Sequence, residues 1–399
     1  MPAAPPDPAA DFSPLSREGH VALAVSGGSD STALMRLARD WAHSHQPGLT
    51  LSVLTVDHGL RPASAGEARL VGEWAERLGL SHHVLNWEGE KPSSGLQAKA
   101  REARYGLMAS WCREHGASLL LTGHTLDDQA ETVLMRLGRS LSPDSLAGIP
   151  RFGNWDGLGL FRPLLGVRRA ALRDYLLALG QGWVEDESNA DRHFERVRAR
   201  QELADLQNSG VTPERLAALA EAGARTTALL DRLSGRWLSS WLKEEEAGYC
   251  HVPAEPFLGL PLPLQQRILA RIVSHYGGGQ STPEAEELRR LALWVSEGPV
   301  RCTLGGALMG RRKRGFFVCR EAGRISPEPL IVPDSGKALW DGRFLITAAP
   351  GATVRAPDGD SLPLGEGVPV FARRAYPLVE QPAGTDAAPM IAFQRITPP

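Results

Sequence analysis

The stretch VALAVSGGSDS, residues 21–31, decides how the rest of the chain is read. Its first half is a nearly unbroken apolar run, the mark of a strand buried on both faces, and its second half opens onto a helical pattern over 30–45. Between them Gly27 and Gly28 permit a tight turn and let a polyanion come close to the backbone, while the helix N-terminus directs N–H groups and a positive dipole end at that anion. Phosphate is the natural ligand, cradled by Ser26, Gly27, Gly28, Ser29, Asp30 and Ser31. The loop lacks the lysine of a Gly-Lys-Ser/Thr phosphate loop and the spacing G-x-G-x-x-G. Asp30 places negative charge there instead, and a carboxylate beside phosphate is repulsive unless a divalent cation lies between them, so Mg²⁺ is implied with Asp30 as a ligand. A solvent-facing turn capped by Ser29 or Ser31 is the plainer reading of the tetrapeptide alone; its position at the end of the first strand favours the phosphate reading.

Working outward, apolar runs at 51–57, 82–87 and 118–124 alternate with helical patterns at 64–79, 95–116 and 126–139. This alternation predicts an α/β fold with a doubly wound parallel sheet, right-handed crossovers and all strand C-termini on one edge, where ligands bind. Beyond residue 153 the pattern loosens into a strand-like FRPLL (161–165), a helix from about 167 to 179, a long helix over 212–247, two more at 262–275 and 283–296, and short strand candidates to the end. The expected domains are a Pro/Ala-rich mobile tail at 1–19, an α/β domain carrying the phosphate loop at 20–208, a helical middle region at 209–300 and a small β-rich domain at 301–399.

Composition limits the partners. The 44 basic and 46 acidic residues nearly cancel, so no basic coat exists and any nucleic-acid contact must come from local clusters. Such clusters stand at Arg192, Arg196, Arg198 and Arg200 and at Arg311, Arg312, Lys313, Arg314, Arg320 and Arg324; a solvated charged face is the default for either. Cys112, Cys250, Cys302 and Cys319 form no C-x-x-C pair, which argues against zinc and a disulfide framework and fits a reducing cytoplasm. No signal-type or membrane-spanning apolar run is found.

Two further constellations fall on the ligand edge. VDHGLR (56–61), with His58 and Arg61, follows the second strand, and TGHTLDDQAET (122–132) follows the fourth. On the helix beginning near Leu126, Asp127 and Asp128 lie one turn from Glu131, so carboxylates converge where a cation or amine could bind. Thr125 with Asp128 also matches a capping box, which accounts for part of the pattern but for neither His124 nor Glu131. Arg101 and Arg104, one turn apart, could neutralise phosphate.

SGGSDS, VDHGLR, LQAKAREARY, GHTLDDQAET, RPLL and WVEDESNADRHFERVRAR, in that order, resemble the tRNA(Ile)-lysidine synthetase family of pyrophosphatase-loop (PP-loop) ATP enzymes, strongly over about 20–203 and more weakly through TLGGALMGRRKRGFFVCRE and WDGRF. The resemblance implies an adenine nucleotide alpha hydrolase-like fold and a cytoplasmic ligase that uses ATP and Mg²⁺. It would adenylate the wobble cytidine of the isoleucine tRNA with anticodon CAU and join L-lysine to C2, releasing AMP and pyrophosphate. It implies catalytic roles for Asp30, His124, Asp128 and Glu131, with Asp128 and Glu131 serving lysine and metal, and tRNA contacts from Arg196, Arg198, Arg200, Arg311, Arg312 and Arg314. Two positions depart from the family pattern: Thr125 stands where a second histidine is usual, and Val197 where Asn follows Arg.

Rival readings compete for the same residues. A tRNA-thiolating PP-loop enzyme generally needs paired cysteines or an iron–sulfur site. An amidating ligase often carries a nucleophilic N-terminal cysteine, and position 2 is Pro2. A non-enzymatic nucleotide-binding regulator has no use for His124, Asp128 and Glu131.

Overall fold

The computed structural model describes residues 8–59, 64–88, 95–185, 195–279, 283–357, 364, 368–385 and 387–396. Arg61 and Arg192 lie outside the described residues, as does the stretch 186–194. The chain divides into two compact units, Met1–Thr227 and Ala228–Pro399.

In the first unit β1 (His20–Ala24) leads to α1 (Ser29–His45), followed by β2 (Thr50–Asp57), α2 (Ser64–Arg77), β3 (Ser81–Asn86), α3 (Leu96–His115), β4 (Leu119–Thr122) and α4 (Leu126–Leu137). The four strands pair in parallel in the order β3-β2-β1-β4. A short α5 (Pro143–Leu146) precedes the antiparallel hairpin of β5 (Phe152–Trp155) and β6 (Leu158–Phe161), whose second strand joins β4 in parallel. The strand expected at FRPLL is thus displaced: only Phe161 is in a strand, and the hairpin turns at Asp156-Gly157, both at positive φ (48° and 83°), a two-residue turn signal in the sequence.

The period-two alternation of the strands sorts the core. Val21, Leu23, Val53 and Leu121 pack with α1, α2 and the later helix α6 (Arg169–Ala178) on one face. Ala22, Leu54, Leu120 and Leu160 face Tyr105, Met108, Ala109 and Cys112 of α3 on the other. Helices therefore cover both faces, as a doubly wound sheet requires. Within the stretch whose composition suggests a mobile tail, Ser13–Arg17 form a 3₁₀ turn that buries Phe12 and Leu15 in this core. Helix α7 (Glu195–Leu206) buries Val197, Ala199 and Leu203, the last against Ala130 and Val133 of α4.

The long helix α8 (Pro213–Trp241) ends six residues before its expected limit, because the chain then turns at Gly248 (φ 76°) to pair β7 (Lys243–Glu245) with β8 (Tyr249–Pro253). The second unit continues through α9 (Ala254–Leu258), α10 (Leu262–Tyr276), α11 (Ala285–Glu297), β9 (Arg301–Leu304), β10 (Ala307–Arg312) and β11 (Gly315–Arg320). Its antiparallel sheet has the order β7-β8-β11-β10-β9 and packs Phe316 and Val318 against Ile268, Ile272 and Trp294. Two three-stranded sheets complete it, built from β12 (Leu330–Ile331), β13 (Lys337–Trp340), β14 (Phe344–Thr347), β15 (Thr353–Arg355), β16 (Leu378–Glu380) and β17 (Met390–Phe393), with the short α12 (Val370–Arg373) before β16. The helical-then-β character expected of this region is present.

Candidate active site

The loop after β1 is held by its own side chains. Ser31 Oγ accepts the Ser26 N–H (3.2 Å) and donates to the Gly28 carbonyl (3.1 Å), and Thr32 Oγ1 donates to the Gly27 carbonyl (3.1 Å). Gly27 has φ 89°, and a Cβ there would meet Val184 Cγ2 at 3.2 Å and Val71 Cγ2 at 3.3 Å, so conformation and space both require glycine. Gly28 differs: its φ of −67° suits any residue, and a Cβ would find nothing nearer than Ser26 Oγ at 3.9 Å. The protein itself leaves open space there, at the mouth of a helix that no side chain caps, which is the arrangement an anion needs.

A close approach brings the fourth strand's end to this loop. A Cβ on Gly123 would lie 3.1 Å from the Asp30 carbonyl and the Ser31 nitrogen, so glycine lets β4 deliver His124 and α4 alongside the first turn of α1. Helix α4 opens with a full capping box: Asp128 N–H donates to Thr125 Oγ1 (3.4 Å), while Asp128 Oδ2 accepts from Thr125 N (2.8 Å) and Oγ1 (2.7 Å). The cap fixes the Asp128 carboxylate and leaves Oδ1 facing the site.

The residue that organises these acids is Arg169, at the start of α6. Its guanidinium donates to Asp30 Oδ2 (2.8 Å), Asp128 Oδ1 (3.1 Å) and Glu131 Oε1 (3.5 Å), joining carboxylates from α1 and α4. Glu131, buried at 2% exposure, also accepts from Arg200 Nε of α7 (2.8 Å). Burial raises the Asp30 pKa, with the charge and hydrogen bond of Arg169 opposing. Asp128 moves the other way: burial would raise it, but Arg169 and the Thr125 hydrogen bonds outweigh that and hold it below the ordinary range. Arg169 itself is held protonated against its burial by Asp128, Asp30 and Glu131. Asp127, expected to converge with Glu131, instead accepts the Arg169 backbone N–H (2.7 Å) and pairs with Arg168 (3.1 Å), so it caps α6.

Cations gather on the other side of His124. The imidazole Nδ1 pairs with Thr122 Oγ1 (2.9 Å), and its pKa is pushed down to about 4, first by burial and then by Arg162, Arg101 and Arg196, with Asp128 opposing. Arg101 and Arg104 lie over the ring of buried Tyr105, at 4.9 and 5.5 Å. Arg162, also buried, donates to the Pro150 carbonyl at 2.7 Å. His58 stands past the end of β2, edge-on to Trp87 with ring centres 5.9 Å apart. Arg196 and Arg198 are exposed on α7, whereas Arg200, expected with them at RNA, is turned to Glu131.

In the second unit the arginine run separates by role. Arg311 is spent on the carbonyls of Ser296 and Gly298, and Arg320 is buried against Asp341, so neither is an exposed phosphate contact. Arg312, Lys313 and Arg314 are exposed at the β10–β11 turn.

Sequence reasoning missed Arg162 and Arg169. For Arg169 one signal exists: two arginines opening a helix sit at its positive dipole end, an unfavourable place without acidic partners.

Among the described residues no three His, Cys, Asp or Glu side chains cluster as a metal site by themselves. Mg²⁺, however, is typically held by one or two carboxylates plus substrate phosphates, and Asp30 and Asp128, close enough to share one guanidinium, supply that donor set. All four cysteines are free and far apart in sequence, and burial raises the thiol pKa values, Cys112 to about 11 and Cys302 to about 12.

A mostly parallel, doubly wound sheet whose first strand ends in an uncapped glycine turn is a nucleotide-binding architecture, and the PP-loop domain family matches residues 9–207, which makes this a PP-loop protein. Curated relatives include tRNA(Ile)-lysidine synthases of Methylobacterium nodulans, 43% identical over 73% of this chain and 87% of that protein, of Ruegeria pomeroyi, 41% identical over 81% and 75%, and of Rhizobium meliloti, 34% identical over 92% and 83%. The chain belongs to the tRNA(Ile)-lysidine synthase family. No described helix is long and apolar enough to cross a membrane.

Proposed function

We propose that this protein is an ATP-dependent ligase of the cytoplasm that converts the wobble cytidine of the CAU-anticodon isoleucine tRNA to lysidine, with L-lysine as the second substrate. The observation that carries the reading is the juxtaposition of a phosphate-accepting turn with a three-carboxylate cluster, spanned by the single guanidinium of Arg169. Family membership supplies the reaction, and the site's two polarities suit it. The cytidine O2 is a poor leaving group; attack by O2 on the α-phosphorus of ATP forms the O–P bond and releases pyrophosphate. The lysine ε-ammonium gives a proton to a base, the free amine attacks C2, the C2–O bond breaks and AMP departs with its electron pair.

The phosphates enter at Gly27–Ser31, where backbone N–H groups of an uncapped helix meet them, and Arg101 adds positive charge. Mg²⁺ held by Asp30 and Asp128 would offset the repulsion between carboxylate and polyphosphate. Glu131, with Asp128, receives the lysine ammonium, which is protonated near neutral pH given a reference pKa of about 10.4. His124, neutral at that pH, brings no repelling charge to the amine. As phosphate charge offsets Arg101, Arg162 and Arg196, its ring becomes a better proton acceptor. Arg196 and Arg198 on α7, and Arg312 and Arg314 in the C-terminal domain, are the proposed tRNA contacts.

The thiolation reading is disfavoured by cysteines that form no C-x-x-C pair and whose thiols burial holds protonated. The regulator reading separates on ATP–pyrophosphate exchange. Exchange that depends on the CAU tRNA is expected; nucleotide binding without exchange would sink the ligase.

A further inference from the structure

The two oxygens of Glu131 are treated differently. Oε1 accepts from Arg200 Nε at 2.8 Å and Arg169 Nη1 at 3.5 Å, guanidinium groups brought by two separate helices, α7 and α6. Oε2 is buried and has no hydrogen-bond partner among the described residues. A buried acceptor left unmade costs free energy comparable to a lost hydrogen bond, so such atoms in native proteins call for an explanation. The ion pairs give one: among the described residues both guanidinium groups that reach Glu131 meet it at Oε1, so Oε2 is left for a further donor beside Asp128. A single ammonium group, with three N–H donors and no acceptor, supplies the missing donor.

We propose that Arg200 and Arg169 are positioning residues for the amine substrate: together they anchor Glu131 Oε1 so that Oε2 is presented to the incoming ammonium. This inference rests on the lysine-ligating reading above. It removes Arg200 from the set of RNA contacts and assigns it, across the same helix, to the amine pocket. Arg200 is half-exposed and lies outside the apolar cluster that α7 joins, so its replacement removes no core packing. Without it, Glu131 keeps only the longer Arg169 contact and is free to turn.

The test is steady-state lysidine formation by the full chain, with lysine and tRNA varied independently, for wild type, Arg200→Gln and Arg200→Lys. Arg200→Gln is expected to raise the lysine KM about tenfold, as loss of a charge-assisted hydrogen bond would. The tRNA KM should stay unchanged and kcat at saturating lysine should stay within about twofold, while Arg200→Lys recovers part of the lysine KM. A raised tRNA KM with unchanged lysine KM would make Arg200 a phosphate contact and overturn the inference. A lowered lysine KM would show that the arginines compete with the amine, and a fall in kcat alone would mark a structural role; either result also overturns it. If the wild-type protein transfers no lysine, the proposed function fails first and the inference with it.

Discussion

His124 lies between the acidic and the basic halves of the site, and its protonation reports on both. With its pKa pushed down to about 4 by burial and by Arg162, Arg101 and Arg196, the folded ring stays neutral well below the reference value of about 6.5 at which it titrates when unfolded. The unfolded chain therefore binds this proton first. Stability linked to the neutral ring is complete above about pH 6.5 and is lost as pH falls toward about 4. Urea unfolding at pH 7.5 and pH 5 should show His124→Asn losing roughly 1–2 kcal/mol less than wild type between the two; an equal loss would mean that the ring is not held neutral. At this scale the acids and His124 were legible in the sequence because one strand end and one helix turn carry them together. Arg169 was not, because its three partners stand 38 to 139 residues away and only the folded sheet edge brings them within reach.

The capping box of α4 links stability to chemistry. Thr125 is fully buried, holds the helix start and clamps the Asp128 carboxylate. Thr125→Ala should cost about 1 kcal/mol, a fall in Tm of roughly 2–4 °C for a unit of this size, and should slow ATP–pyrophosphate exchange because the Asp128 carboxylate loses the hydroxyl that helps to anchor it. Calorimetry and the exchange assay read the two effects separately; a lower Tm with full exchange would leave Asp128 with a capping role only. The box was readable from Thr125 and Asp128 alone, and so was the β-α alternation, since apolar runs of strand length between helical periods admit few other folds. The β5–β6 hairpin is hard to read from sequence although Asp156-Gly157 marks its turn, because Phe152–Trp155 and Leu158–Phe161 are four-residue strands each interrupted by a glycine. Asp127 shows the limit of helical spacing: the i,i+4 relation to Glu131 holds, yet the carboxylate is taken by the start of α6.

Across the whole molecule, a near-neutral chain must hold a polyanion through a few exposed groups, and burial decides which ones. Arg320 and Arg343 are almost fully buried around Asp341, and Arg311 ties two carbonyls, so the sequence run 311–324 overstated its phosphate-binding surface; composition cannot tell an arginine in a core from one in solvent. Replacing Arg312 and Arg314 with Ala should therefore weaken tRNA binding and reduce the log–log salt slope by roughly 0.7–0.9 for each phosphate no longer neutralised, with ATP binding unchanged. Arg311→Ala should instead lower the Tm. Identical affinity and slope in the double variant would return the β10–β11 turn to an ordinary solvated surface. The most direct measurement is incubation of the protein with ATP, Mg²⁺ and radiolabelled lysine, in parallel with the CAU-anticodon isoleucine tRNA and the elongator methionine tRNA that shares its anticodon. Label is expected in the isoleucine tRNA alone, with AMP and pyrophosphate formed in step; label in neither RNA, or incorporation without ATP, would contradict lysidine formation by this chain.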